Sequence, residues 1–297
     1  MPGGKSAPRR YAGARVRIGN GRARLLPAAV PGPGLVAGQF SVISPGTERR
    51  HLAGPDREAG YMTLGRTDDT AGWMLAPVPH GAAFDPACPG AVTAPPGMEP
   101  RLVALARFQQ MASLGLDRAP AADLDDTVVV GSGPVAVGCV LELCRRGATR
   151  ITVVTSRRHA PIGRAPGVRC VPPDAAGRGQ LVIDAAGTPA CAAELTAPGG
   201  TLGLLGTPRP GDVLPALQVH RGGWTVVGMH ELAPAADGAY QDAFTTVALW
   251  LAGNLDPALA DAWCRTVPGA LAPEVFALLD APGRPAEPVL LLDWRTP

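Results

Sequence analysis

Lysine is almost missing: Lys5 is the only one among 27 cationic residues, and the rest are arginine. In a chain also rich in Ala, Gly and Pro, this skew is the mark of GC-rich coding. The formal charge of +2 therefore carries no message about nucleic acid, and no long basic run supplies one. Charged residues are scarce at 18%, but hydrophobic residues reach 46%, which excludes a disordered chain despite 38 glycines and 33 prolines. Cysteine pairs are missing too. Cys88, Cys139, Cys144, Cys170, Cys191 and Cys264 stand singly, without the CxxC spacing of a zinc module or the density of a disulfide framework. They read as small, mostly core residues in a reducing, cytoplasmic compartment. The opening MPGGKSAPRRY has no apolar stretch, so no secretory signal is expected. The most apolar segment, 127–144, is interrupted by glycines, Pro134 and Glu142, which excludes a membrane span and reads as strand, turn and helix.

What remains is enough chain for one large or two ordinary domains. Composition changes near residue 120. Before it lie short apolar pieces (14–18, 34–44, 73–78) broken by turn residues, then a helical stretch near 102–116, together an irregular β-rich lobe. From Asp123 to about Glu231, apolar runs alternate with connections: TVVVG (127–131), ITVVT (151–155), VRCV (168–171), LVIDAAG (181–187), TLGLLG (201–206) and WTVVGMH (224–230). Runs apolar on both faces suit a parallel sheet, which predicts an α/β fold. Beyond them, Tyr240, Phe244, Val247 and Leu251 recur at helical spacing up to Gly253. A second helix is expected from Pro273, and VLLLD (289–293) reads as a closing strand; both can rejoin the first lobe.

The sharpest signal is a buried strand running straight into Gly131-Ser132-Gly133-Pro134-Val135-Ala136. Val137, Val140, Leu141 and Cys144 then continue at helical spacing to Gly147. Gly131 permits the tight turn, Gly133 lets backbone approach a pyrophosphate, Ala136 allows helix to pack on strand, and free amides at the helix start hold the phosphates. A chance match in a glycine-rich chain is the alternative, and the five apolar runs that follow argue against it. About 20 residues on, an acidic side chain would bind the ribose hydroxyls of NAD. Thr155-Ser156-Arg157-Arg158 stands there instead. Hydroxyls and guanidinium groups suit a 2′-phosphate, which predicts NADPH (NADP+) over NADH; an ordinary solvated loop is the alternative.

With these residues the chain resembles the medium-chain dehydrogenase/reductase superfamily, of zinc alcohol dehydrogenase and quinone reductase type, over nearly its whole length. The cofactor half matches in GSGPVAVG (131–138), LVIDAAGTPAC (181–191), PGGTLGLLGTP (198–208) and WTVVGMHE (224–231). This adds Gly187, Gly206 and Thr207 to the expected cofactor-binding residues Gly131, Ser132, Gly133, Pro134, Val135, Thr155, Ser156, Arg157 and Arg158. ISPGTE (43–48), GYMTLG (60–65) and APVPH (76–80) resemble landmarks of a GroES-like catalytic lobe. The resemblance implies a doubly wound Rossmann domain at 121–231 and a shortened GroES-like β-rich lobe formed by 1–120 and 232–297. In relatives the catalytic zinc sits on a Cys of the first landmark and a His of the second. Ser44 and Tyr61 stand at those positions, the four-cysteine structural loop is missing, and no cysteine near 107–111 replaces them. No metal is expected. Pro161 and Pro166 also fall where a full crossover helix would run, so the member is trimmed.

Without a Lewis acid, a proton donor is needed where charge develops on the substrate oxygen. The resemblance puts Tyr61 there, either as donor or as filler of the vacated metal site. His80 is expected as a general acid or as an orienter of a substrate hydroxyl, with a plain surface histidine as the alternative. Thr47 and Glu48 resemble the hydroxyl and acidic pair of relatives, in which the hydroxyl passes protons; Glu48 could instead pair with Arg49 or Arg50. Gln109 and Gln110 are expected to begin a helix facing the nicotinamide and to bind substrate. The expected function is a zinc-independent, NADPH-dependent reductase that transfers hydride to a ketone of a polar small molecule. Resemblance to reductases of actinomycete secondary metabolism, which act on keto-sugars in aminoglycoside deoxygenation, implies a sugar or aminocyclitol substrate and a heteromeric enzyme partner. A quinone or enone reductase and a noncatalytic NADPH-binding partner protein are the alternatives. Relatives pair through the last strand of the cofactor sheet, so a homodimer through 224–230 is expected, with neither nucleic acid nor membrane as partner.

Overall fold

The structure, a computed structural model, describes residues 14–27, 31–66, 71–120, 123–233, 236–279, 281 and 284–295. The segment MPGGKSAPRRY, and with it the expectation of no secretory signal, lies outside them. The chain opens with β1 (Ala14–Gly19), β2 (Arg22–Pro27), β3 (Phe40–Ile43), α1 (Pro45–Leu52), β4 (Arg57–Glu58), β5 (Thr63–Gly65), β6 (Met74–Ala76), β7 (Val92–Thr93) and α2 (Pro100–Leu116). Of the expected strand 34–44 only β3 forms; Val36 makes an isolated bridge to Phe84.

The middle of the chain holds β8 (Thr127–Val130), α3 (Pro134–Arg145), β9 (Ile151–Val154), β10 (Val168–Val171), β11 (Gly179–Asp184), α4 (Pro189–Glu194), β12 (Thr196–Leu204), α5 (Ala216–Gly222) and β13 (Thr225–Gly228). The six strands are parallel and lie in the order β10-β9-β8-β11-β12-β13, the doubly wound arrangement whose strand order reverses at β8. Val129, Val153, Leu181 and Ile183 enter one core, while Val128, Val130, Val154, Val182 and Leu202 pack on the opposite face with Ala192 and Ala193 of α4. Burial on both faces is why these runs show no alternation in the sequence. Between β9 and β10 only a 3-10 turn forms, at 161–164, as its prolines require.

The last part adds α6 (Ala239–Asn254), α7 (Pro257–Trp263), β14 (Cys264–Pro268), α8 (Ala272–Leu278) and β15 (Val289–Asp293). β15 returns to the first lobe, pairing Leu290 with Ile43 and Asp293 with Phe40, inside a sheet ordered β14-β15-β3-β5-β6-β7. A second sheet of the lobe runs β2-β1-β4. Helix α2 is buried from Val103 to Leu116 and packs on both α3 and α6. That approach needs Gly138: a Cβ there would sit 2.2 Å from the Phe108 carbonyl oxygen. All six cysteines are free thiols, and no helix among the described residues is long and apolar enough to cross a membrane.

Candidate active site

A cleft of about 950 Å³ opens at the carboxyl ends of β8, β9, β11 and β12 and is closed on its other side by α1, Tyr61 and the Pro89–Gly90 turn. This is where doubly wound sheets bind ligands. Gly131, at φ +115°, turns the chain out of β8, and Gly133 is the N-cap of α3 with Pro134 in its first turn. No side chain caps this helix, and a Cβ on Gly133 would meet nothing within 4 Å, so the helix start faces open cleft. Ser132 Oγ lies 2.8 Å from Thr155 Oγ1, tying the turn to the end of β9. Gly187 and Gly206 bring the loops after β11 and β12 into backbone contact: a Cβ on Gly187 would lie 2.1 Å from the Thr207 carbonyl oxygen. Gly206 and Thr207 line the cleft, whereas Gly187 sits behind them. Open helix amides and a backbone-deep cradle fit a dinucleotide.

Pro134, Val135, Thr155, Ser156 and Arg157 also line the cleft. Arg157 is half-buried and donates to the Ala286 carbonyl at 3.2 Å. Burial holds its guanidinium below the ordinary arginine range, and the nearby charges of Arg284 and Arg49 press the same way. Arg158, expected beside it, is exposed and lies off the cleft wall. Its neighbour is turned inward because the Arg157 N–H donates to Thr155 Oγ1 at 3.1 Å.

At the other end, Ser44 is the N-cap of α1, but its hydroxyl caps nothing. Tyr61 Oη donates to Ser44 Oγ at 2.8 Å. Burial pushes the Tyr61 phenol up, while hydrogen bonds with Ser44 and Thr47 pull it back. All three hydroxyls line the cleft. Glu48 does not: it is buried, its Oε2 accepts the Ser44 N–H at 3.0 Å, and its Oε1 lies 2.6 Å from His80 Nε2. The expected pairing of Glu48 with Arg49 or Arg50 is thus replaced by His80, because α1 turns the arginines toward the cleft and the carboxylate toward the core. His80 is neither a cleft residue nor a surface one; it is fully buried, edge-on to Phe276.

Gln109 and Gln110 need correction as well. They sit mid-helix and buried, because α2 begins nine residues earlier than Gln109, at Pro100. Gln109 donates to Glu142 at 3.2 Å, and Gln110 donates to the Tyr240 carbonyl at 2.6 Å while accepting from Arg107 at 2.7 Å. The faces of α2 that reach the cleft belong to Arg107 and Met111. Arg107 donates to Glu231 at 3.0 Å and lies over the Tyr240 ring at 5.1 Å. This Arg107–Glu231–Tyr240 group went unread in the sequence. Glu231 closes a strand motif and Tyr240 looks like one more apolar helix position, so nothing local marks them as neighbours.

The donor set at the zinc position of relatives does not suit that metal. Ser44 and Tyr61 offer neutral hydroxyls, and Glu48 is held away by two other partners. Among the described residues no three His, Cys, Asp or Glu side chains are grouped to hold an ion.

No family model matches the sequence, and no curated protein does. Solved structures match well. The 2R,3R-butanediol dehydrogenase of Bacillus subtilis has a TM-score of 0.70 at 15% identity, over 94% of this chain and 99% of its own. Galactitol-1-phosphate dehydrogenase of Escherichia coli gives 0.70 at 14%, over 94% and 99%. The quinone oxidoreductase of Thermus thermophilus, solved also with NADPH, gives 0.67 at 21%, over 94% and 100%. The chain shares the fold of these dehydrogenases and this oxidoreductase. Both parts of the expected architecture, the Rossmann sheet and a separate β-rich lobe, are present.

Proposed function

We propose that the chain is an NADPH-dependent reductase that delivers hydride to the carbonyl of a polar ketone without a metal ion. One observation carries this reading: the glycine turn and the Tyr61–Ser44 hydroxyl pair line the same cleft. Bound there, NADPH supplies the hydride. The amides after Gly133 hold the pyrophosphate, Arg157 and Arg284 take the 2′-phosphate, and Tyr61 holds the proton for the substrate oxygen. Hydroxyls of Ser44, Thr47, Tyr61 and Tyr240 with the Arg107–Glu231 pair give a polar wall, which supports a hydroxylated ketone such as a keto-sugar or aminocyclitol. The similar galactitol-1-phosphate dehydrogenase acts on a polyol phosphate, in keeping with that class. Reduction of a quinone or enone is the second reading, favoured by the similarity to the Thermus oxidoreductase. A cytoplasmic homodimer, with an enzyme partner that makes the keto intermediate, completes the proposal.

Titration of metal-analysed protein with NADPH and NADH, followed by nicotinamide fluorescence, tests the cofactor. NADPH is expected to bind at least about tenfold more tightly, one charge-assisted contact's worth. NADH preference rejects the arginine reading, and binding of neither rejects the enzyme. Tyr61→Phe is expected to retain NADPH and lose ketone reduction by about 100- to 10,000-fold, the span of a positioned general acid. Turnover of enones with no turnover of ketones favours the second reading.

A further inference from the structure

We propose that Ser44 is the hydroxyl through which Tyr61 exchanges its proton, and that the buried Glu48–His80 pair is the device that positions Ser44. The inference rests on the reductase reading for its consequence, although its test does not. An N-cap serine ordinarily spends its hydroxyl on its own helix. In α1 it does not: Glu48, one turn on, accepts the Ser44 N–H at 3.0 Å, and Ser44 Oγ accepts from Tyr61. Both carboxylate oxygens are then used, one on Ser44 and one on His80 at 2.6 Å.

The same pair touches the other hydroxyl's support. Gly60, the residue before Tyr61, has φ +92°, and a Cβ there would lie 2.6 Å from His80 Cγ. The His80 N–H also donates to the Ala59 carbonyl at 2.9 Å. The turn that delivers Tyr61 therefore rests on the His80 ring, while the turn that delivers Ser44 hangs from Glu48. The pair holds the separation of the two hydroxyls and reaches neither cleft nor solvent. As mere packing it is costly, since apolar side chains would fill the space without desolvating a carboxylate. A positioning role accounts for both carboxylate contacts, while His80 Nδ1 has no hydrogen-bond partner among the described residues.

The step balances. As the carbonyl carbon accepts hydride, its oxygen takes the Tyr61 proton, the phenolic oxygen takes the Ser44 proton, and Ser44 is restored by a proton from water in the cleft. The sum is one hydride and one solvent proton added to the carbonyl.

The chain has three tyrosines, so the full protein labelled with 13C at tyrosine Cζ can be titrated by NMR, with Tyr61→Phe assigning the signal. The titratable groups facing Tyr61 are Glu48, Glu231 and Tyr240. Ser44→Ala is expected to move the Tyr61 midpoint up by about one pH unit, the loss of one hydrogen bond to the phenolate, and Ser44→Thr to restore it. The combined replacement Glu48→Leu with His80→Leu leaves no buried charge and is measured in the wild-type and Ser44→Ala backgrounds. In the second background only loss of the Glu48 charge remains, which pulls the midpoint down; in the first, the shift must lie above that value. Equal shifts in both backgrounds, or an unmoved midpoint in Ser44→Ala, overturn the proposal. Should the double replacement not fold, Glu48→Asp, too short for both partners, is read the same way. NADPH fluorescence on the same samples separates this outcome from failure of the reductase reading.

Discussion

Arg157 and Arg158 are equivalent in the sequence and opposite in the fold. The first is turned into the cleft by its N–H bond to Thr155, and the second faces solvent. Arg157→Ala should therefore weaken NADPH at least about tenfold and leave NADH nearly unchanged, whereas Arg158→Ala should alter neither; calorimetric titration decides. The glycines divide similarly. A methyl on Gly133 enters open cleft, so Gly133→Ala should keep the unfolding midpoint and lose NADPH affinity. A methyl on Gly138 meets the Phe108 carbonyl, so Gly138→Ala should cost about 1–3 kcal/mol in denaturant unfolding, the range for overpacking a core. Gly133 is legible as a phosphate-turn residue, but the role of Gly138 depends on where α2 lies, which no local pattern states.

Among the elements, α3 carries a buried carboxylate that the function does not use. Burial alone would push Glu142 up, but Arg145 and Arg146, one turn away, outweigh it and hold the carboxyl below its ordinary range. The folded state thus gains from ionised Glu142 above the usual carboxylate range and loses that gain as pH falls through the lowered folded value. Glu142→Gln should flatten the acid limb of stability against pH, measured by urea unfolding; an unchanged limb sinks the assignment. The strands β8 to β13 were legible because each holds a short apolar run, buried on both faces in the central strands and partly exposed in the edge strands β10 and β13. The hairpin of β1 and β2 had a signal, the Asn20-Gly21 turn with both residues at positive φ, that strand composition rich in arginine obscured. Helix α1 was hidden for another reason. Its sequence, PGTERRHL, has almost no apolar face, since it is held by Ser44, Glu48 and His80.

At the scale of the whole molecule, β13 lies at one edge of the parallel sheet and, among the described residues, pairs only with β12. An open edge strand is a ready template for a second copy. Light scattering on the purified chain should give twice the chain mass, and a monomer at micromolar concentration removes the dimer from the proposal. By itself the sequence determined the parallel sheet and the glycine turn, because each is written in adjacent residues whose periodicity or backbone freedom has one structural solution, whereas the return of 289–293 was only allowed by the sequence and is fixed by its pairing with β3. The tertiary structure alone decided that Glu48 meets His80, that Gln109 and Gln110 face other helices, and that Arg107, Glu231 and Tyr240 share a wall. Glu48 and His80 lie 32 positions apart and Arg107 and Tyr240 lie 133 apart, so only packing brings such partners together and tells a buried polar group from one that faces the cleft.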